Sequence, residues 1–236
     1  MELGEIFSDA LMYPLQNIKA LIIYVILGII LGIATAGTVG AISASVALNN
    51  VLAALGSGII GIIIAVLLGF MIYGYELDIV KYGINREDRG PEIDFIRQFI
   101  NGVKLFVVYI VYFLIPIIIG AILAIFFQHW LSGLITAILV IIFALAAMMG
   151  QCRLAKTEDL GYALSIGEAI GDISKVGPVK LVLFIILSFI IIFLLGLVVS
   201  IISKLNPTIG GILMGILGVY ATFFIARGTG LLYSGV

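Results

Sequence analysis

Six long apolar stretches constrain this chain more than any other feature of its sequence. They lie near residues 20–42, 51–74, 105–127, 131–150, 181–203 and 208–227. A helix needs roughly 20 residues, at about 1.5 Å each, to cross a hydrocarbon core of about 30 Å, so each stretch is long enough to span a membrane. In the whole chain 63% of residues are apolar and 11% are charged, whereas soluble domains carry about 25% charged residues. The composition excludes a water-soluble fold.

The apolar stretches are continuous, and this continuity selects helices. A transmembrane β-barrel would show segments of about ten residues in which apolar and polar residues alternate. Backbone groups in lipid must be hydrogen-bonded internally, which leaves a helical bundle. We therefore predict an all-α integral membrane protein with six transmembrane helices, forming a single domain over residues 1–236. The first stretch is longer than the core of a signal peptide, about 7 to 15 residues, so we expect it to be retained as a span.

The distribution of charge predicts the orientation. Of the 12 lysines and arginines, only Lys204 falls in the connections on one side of the six stretches. By the positive-inside rule the opposite side is the cytoplasm, with both termini in it, so the chain is predicted to be a multi-pass protein of the cell membrane. The connections on the outer side carry almost no charge and form no extracellular domain, which argues against a receptor for extracellular signals. The basic residues assigned to the cytoplasmic side are Lys19, Lys81, Arg86, Arg89, Arg97, Lys104, Arg153, Lys156, Lys175, Lys180 and Arg227.

A short amphipathic segment precedes the first, third and fifth apolar stretches, at residues 2–18, 92–104 and 165–176. Their apolar residues recur at i, i+3 and i+4, which is typical of a helix with one apolar face. Ser165 and Glu168 also have the spacing of a capping box. Helices of this kind lie in the plane of the membrane interface. We predict one cytoplasmic in-plane helix before each outward span.

A helix breaker and then a lysine follow each amphipathic segment. The breakers are Asn17, Asn101–Gly102 and Gly177–Pro178, and the lysines are Lys19, Lys104 and Lys180. Gly and Asn tolerate unusual dihedral angles, and Pro interrupts helical hydrogen bonding. At headgroup depth a lysine gains about 1 kcal/mol from anionic lipid, whereas at the bilayer centre it would cost roughly 2.5 to 3.5 kcal/mol. The pattern predicts a hinge with a lysine that fixes its depth.

The recurrence of this unit predicts an internal repeat. Three two-span repeats would cover approximately residues 1–82, 83–160 and 161–236, each preceded by its in-plane helix. Two-span repeats keep one orientation, so their pseudo-symmetry axis would run along the membrane normal. The alternative is that the lysines only mark the inner ends of six unrelated spans. Gly28 with Gly32, and Gly211 with Gly215, have the spacing that lets membrane helices approach closely, and we expect them to be packing sites.

Three short motifs resemble a known family. They are Tyr13-Pro14-Leu15-Gln16-Asn17-Ile18-Lys19, Gly74-Tyr75-Glu76-Leu77, and the run from Gly90-Pro91-Glu92-Ile93-Asp94 to Gly102. In this order they resemble the archaeal multi-pass membrane proteins catalogued as domain of unknown function four thousand and thirteen. Gly90 stands where that family pattern has leucine. The resemblance implies an archaeal or bacterial cell membrane, and it implies no activity or catalytic residue.

Few residues are candidates for chemistry. His129, at the outer boundary among aromatic residues, is interpreted as part of the interfacial belt. An acidic concentration from Glu76 to Asp94 has the oxygen ligands that a hard cation prefers, but the interleaved Lys81, Arg86, Arg89 and Arg97 favour an internally paired surface. No charged residue lies near the middle of a span, which disfavours ion-coupled transport. We expect no catalytic residue, cofactor or metal.

The in-plane helices are the best candidates for function. The leading hypothesis is a non-enzymatic membrane protein whose amphipathic helices bind lipid or a protein partner on the cytoplasmic face, with no role for nucleic acid. A passive channel or facilitator for a small solute or lipid is the first alternative, and a membrane-embedded enzyme acting on lipid is the second. The predicted lipid or partner interface consists of Lys19, Arg97, Lys104, Ile166, Ile170, Ile173, Lys175 and Lys180.

Overall fold

The computed structural model describes residues 1–126 and 130–236, and no β-strand occurs among them. The helices in chain order are α1 (Leu3–Gln16), α2 (Ile18–Ala47), α3 (Val51–Ile84), α4 (Phe95–Phe126), α5 (Trp130–Thr157), α6 (Leu160–Ala163), α7 (Ile166–Val176), α8 (Pro178–Leu205) and α9 (Pro207–Tyr233). Six of them, α2, α3, α4, α5, α8 and α9, contain segments long and apolar enough to cross a membrane. The prediction of an all-helical, six-span protein is confirmed. His129 lies outside the described residues.

The buried core lies at the end of the bundle that carries both termini and the connections after α3 and α5, which we call the inner end. Helices α3 and α5 continue past the apolar stretches that the sequence defines, and most of their buried residues lie at or beyond the ends of those stretches, from Gly74 to Gly83 in α3 and from Ala146 to Ala155 in α5. The outer halves of α2 and α3 instead expose apolar side chains such as Ile59 and Ile62. Lipid tails are as apolar as these side chains, so burying the side chains within the protein would contribute little free energy. The inner end is therefore the part with a protein-like interior.

The return helices α3, α5 and α9 pack against one another, and the outward helices α2, α4 and α8 pack against their own return partners. Aromatic rings fill the junction of α2, α3 and α9. The rings of Tyr24 and Tyr75 are stacked with centroids 4.1 Å apart, and the centroid of Phe223 is 5.4 Å from that of Tyr75. The hydroxyl of Tyr24 lies 2.6 Å from the side-chain amide of Gln98 in α4. These contacts tie α4 to the junction.

Two of the three predicted helix breaks are present. Helix α1 ends at Gln16, and Asn17 separates it from α2. Helix α7 ends at Val176, and Gly177 has a φ of 98°, a left-handed value that favours glycine. Pro178 then begins α8, as expected for a residue that needs no donor in the first turn. Helix α1 packs on α9, and α7 packs on α5.

The predicted hinge at Asn101–Gly102 is wrong. Helix α4 continues through both residues, so residues 95–104 form the first turns of the span and not a separate in-plane helix. Gly102 lies where α4 crosses α3, and a Cβ at that position would overlap the carbonyl oxygen of Phe70. Asn101 donates a hydrogen bond of 3.1 Å to Asp78 of α3. Both residues therefore contact α3. This contact outweighs their local tendency to break a helix.

Of the two predicted glycine pairs, only Gly28 faces another helix among the described residues. A Cβ at Gly28 would meet only Val219, at 3.6 Å, and positions 32, 211 and 215 have open space around them. Helices α3 and α9 instead approach closely at Gly230, where a Cβ would overlap the carbonyl oxygen of Val80. GxxxG spacing permits close packing, but the partner helix must also pass that face.

Candidate functional site

Three ion pairs join the inner ends of the return helices to neighbouring segments. Asp78 of α3 lies 3.0 Å from Arg97 of α4, and Arg153 of α5 lies 2.8 Å from Asp172 of α7. Arg227 of α9 lies 2.7 Å from Asp9 of α1. The first two pairs each join residues 19 positions apart in the chain. These contacts hold α1, α4 and α7 against the inner end of the bundle.

Arg153 is the centre of a buried network. Its side chain is 2% exposed and that of Asp172 is 1% exposed. Its Nε donates to the carbonyl oxygen of Tyr162 at 3.1 Å, and the guanidinium lies 3.8 Å above the Tyr162 ring. Glu168 pairs with the same guanidinium. A charge this deeply buried is tolerated because its hydrogen-bonding groups find partners.

Asp172 is stabilised as a carboxylate. It accepts hydrogen bonds from Lys175 at 2.6 Å and from the hydroxyl of Tyr233 at 2.7 Å, in addition to that from Arg153. Burial acts to raise the pKa of Asp172, but these three donors outweigh it and hold the pKa below its usual value. The ionised form therefore keeps α7 attached to α5 and α9.

Arg227 forms the corresponding network on α1. Its Nε and Nη2 bind the two carboxylate oxygens of Asp9, and its Nη1 donates to the carbonyl oxygen of Glu87 at 2.6 Å. The guanidinium lies 5.0 Å from the centre of the Tyr13 ring. Burial raises the pKa of the Tyr13 hydroxyl well above its usual value. Sequence reasoning counted Arg153 and Arg227 only as charges, although a single arginine at the end of an apolar helix was a signal for such a network.

The predicted acidic concentration is largely paired. Asp78 binds Arg97 and Asn101, and Glu76 accepts from Gln151 at 3.0 Å. The other acids act locally: Glu87 pairs with Arg89, and the side chain of Asp94 accepts from the backbone of Ile96 and Arg97 at the start of α4. Among the described residues no group of three His, Cys, Asp or Glu could hold a metal ion.

Most of the predicted interface lysines and arginines contact protein atoms. Arg97 and Lys175 are in the ion pairs described above. Lys104 donates to the carbonyl oxygen of Glu158 at 3.1 Å, and Lys180 donates to that of Met1 at 2.8 Å. Lys175 and Lys180 come together at a small cavity of about 120 Å³.

Hydrogen bonding by Lys81 lowers the pKa of Glu158 below its usual value.

The buried face of α7 differs from the predicted one. Ala169, Asp172 and Val176 form it, so the face includes an acid that the amphipathic pattern places on the polar side. The physical reason is Arg153, which offers Asp172 a buried partner. Ile166 and Ile173 are half-buried against the core, and Ile170 is 39% exposed. The predicted capping box is absent, because Glu168 pairs with Arg153 and the Ser165 side chain makes no cap.

Lys19 differs from the other two hinge lysines. It is the second residue of α2, its side chain is exposed, and it lines a cavity of about 470 Å³. The remaining walls come from the break between α1 and α2 and from the connection between α3 and α4. The cavity lies at the inner end of the first span, beside the aromatic residue Tyr75.

The fold and the paired charges define a class: a six-span helical membrane protein with a charged, protein-like inner end. Residues 57–204 match the family described as "Protein of unknown function (DUF4013)", and the chain belongs to that family. The predicted family is thereby confirmed, and the match includes the motifs at residues 74–77 and 90–102 but not the one at residues 13–19. The match runs from α3 to α8 and includes the Asp78–Arg97 and Arg153–Asp172 pairs. No curated protein and no solved structure matches the chain.

Proposed function

We propose that this protein is a non-enzymatic protein of the cell membrane whose cytoplasmic face binds lipid through α1 and α7. The observation that carries the proposal is that the face of α1 turned away from the bundle is apolar and exposed. Met12 and Leu15 are 50% and 54% exposed there, whereas Ile6, Ala10 and Tyr13 on the other face are buried. A helix with one face on protein and an exposed apolar face beside the start of a span is suited to the lipid interface.

Charge near the membrane supports the same proposal. Lys19 follows directly after the exposed Ile18, and Lys180 lies in the first turn of α8. Lysines at headgroup depth attract anionic lipid. Helix α7 contributes Ile170 to the exposed apolar surface, while Arg153 holds its opposite face on the bundle. We therefore propose that α7 contacts lipid through a smaller apolar surface than α1 does.

We also propose that the chain contains three two-span repeats, with boundaries near residues 82 and 160. The support is the equal spacing of the Asp78–Arg97 and Arg153–Asp172 pairs, together with the corresponding contact of Arg227 with Asp9. The acid lies on the return helix in the first pair, on the following segment α7 in the second, and on α1 at the start of the chain in the third. In the second repeat the amphipathic segment is fused into α4.

Lipid contact can be measured at single positions. In a Cys152→Ser variant, a bimane probe on Leu15→Cys or Ile170→Cys is expected to be quenched by brominated lipid and little by aqueous iodide. The control is Asp88→Cys, because the Asp88 side chain is 98% exposed and belongs to the connection after α3. That probe is expected to show the reverse pattern. Equal iodide quenching at positions 15 and 88 would contradict the lipid assignment of α1.

The orientation is proposed with both termini and the connections after α3 and α5 in the cytoplasm. Cysteines at Asn50 and Lys204, in a background lacking Cys152, are expected to react with an impermeant thiol reagent added to intact cells. A cysteine at Arg89 is expected to react only after the cells are opened, since most basic residues share its side. Labelling of position 89 in intact cells would reverse the proposed orientation.

A further inference from the structure

The cavity beside Lys19 has walls from two distant parts of the chain. One wall is formed by residues 16–20, where α1 gives way to α2, and the other by residues 90–93, which precede α4. The walls touch at one edge, since a Cβ at Gly90 would come 2.5 Å from the side-chain oxygen of Asn17. Its volume of about 470 Å³ is within the range of about 300 to 1,000 Å³ that is usual for ligand sites.

The two walls carry opposite charges that are not paired. Lys19 lines the α2 wall, and Glu92 lines the other. Among the described residues, neither side chain has a hydrogen-bond or ion-pair partner, and the two do not form an ion pair with each other. The other hinge lysines differ, because Lys104 and Lys180 donate to backbone carbonyls. The cavity is thus lined by a lysine and a glutamate of opposite charge, and neither side chain is engaged in a hydrogen bond or ion pair among the described residues.

The position of the cavity restricts the source of a ligand. Lys19 lies in the first turn of a span, directly after the exposed Ile18. In the proposed orientation this is the headgroup depth of the inner leaflet, with acyl chains alongside α2. A ligand held here can place a polar head in the cavity and its chains against the apolar surface of the bundle. A membrane lipid meets both requirements.

We infer that this cavity binds the headgroup of a zwitterionic aminophospholipid, with the phosphate at Lys19 and the primary ammonium at Glu92. An anionic headgroup without an amine would place a phosphate in the same cavity as the Glu92 carboxylate and leave that carboxylate unpaired. A choline headgroup has a cation but no N–H donor for it. Hydrogen bonds between charged partners are stronger than neutral ones, so a primary amine is favoured over both. The inference rests on the lipid-binding role proposed above.

The test uses the full-length protein in detergent, titrated with short-chain phosphatidylethanolamine, phosphatidylglycerol and phosphatidylcholine, with binding followed by calorimetry. Phosphatidylethanolamine is expected to bind most tightly. Lys19→Gln is expected to weaken its binding about tenfold, the size of one charge-assisted hydrogen bond of roughly 1.4 kcal/mol. Glu92→Gln is expected to lower the affinity for phosphatidylethanolamine and to raise the affinity for phosphatidylglycerol. Matched controls are Lys204→Gln and Asp88→Asn, two exposed charges outside the cavity, which are expected to change neither affinity.

Several results would overturn the inference. Equal affinity for the three lipids, or no effect of Lys19→Gln in a variant that keeps the thermal stability of the parent, would remove the headgroup site. Soluble phosphoethanolamine that binds as tightly as the lipid would show that acyl chains are not recognised and would overturn the lipid assignment. The bimane experiment is independent of these titrations. If the probes on α1 are quenched by lipid but the three lipids bind with equal affinity, the headgroup site is rejected and the proposed function is retained.

Discussion

Replacing Arg153 by methionine is expected to lower the free energy of unfolding by about 3 to 5 kcal/mol, the usual cost of removing one partner from a buried ion pair. The side chain is 2% exposed, and it bonds with Asp172, Glu168 and the carbonyl oxygen of Tyr162. Methionine has a similar length, so the change leaves little empty space. What it removes is the buried cation that pairs with Asp172, so that the 63% exposed Lys175 is left as the cationic partner of this buried carboxylate.

Two companion variants separate this effect from loss of a surface charge. Arg89 pairs with Glu87 but is 79% exposed, so Arg89→Met is expected to leave the free energy of unfolding nearly unchanged. The double variant Arg153→Met with Asp172→Asn is expected to be more stable than Arg153→Met alone, because it removes a buried carboxylate whose remaining cationic partner is the largely exposed Lys175. Unfolding in mixed micelles measures all three. A loss below about 1 kcal/mol for Arg153→Met would show that the network is dispensable.

The six spans could be predicted because their signal is local. A run of about 20 apolar residues has one stable solution in lipid, whatever the rest of the chain does. The breaks at Asn17 and Gly177 are also local, since the chain itself ends the helix there. Asn101–Gly102 carries the same type of signal and gives the opposite result. At that position α3 contacts both residues, and sequence composition contains no information about which helix passes nearby.

The inner-end network could be predicted only in part. The amphipathic pattern of α7 places Asp172 on the polar face, but it does not say whether that residue meets water or a buried polar group. Arg153 decides that question by facing Asp172 from α5. For the same reason Arg97 and Lys175, predicted as interface residues, bind carboxylates within the chain. Lys19 was identified from its place after a helix breaker, whereas its cavity requires residues 90–93 from a different part of the chain.

The contact between α3 and α4 depends on glycine at two facing positions. A Cβ at Gly74 would overlap the carbonyl oxygen of Gln98, and one at Gly102 would overlap that of Phe70. The obstructing atoms are backbone, so they cannot move aside as a flexible side chain would. The two helices would have to separate, and that separation would disturb the contact of Gln98 with Tyr24.

Gly74→Ala is therefore expected to lower the free energy of unfolding by about 1 to 3 kcal/mol, or more if the helices cannot separate without loss of the Asp78–Arg97 pair. Gly196→Ala is the matched control, because it lies within a membrane helix and has no atom within 4 Å of the new methyl group. There the greater helix propensity of alanine, about 0.5 to 1 kcal/mol, is expected to leave stability equal or slightly higher. Both variants can be measured by unfolding in mixed micelles, with cysteine crosslinking across α3 and α4 as a readout of their separation. If Gly74→Ala unfolds with the same free energy as Gly196→Ala, α3 and α4 do not meet as closely as described.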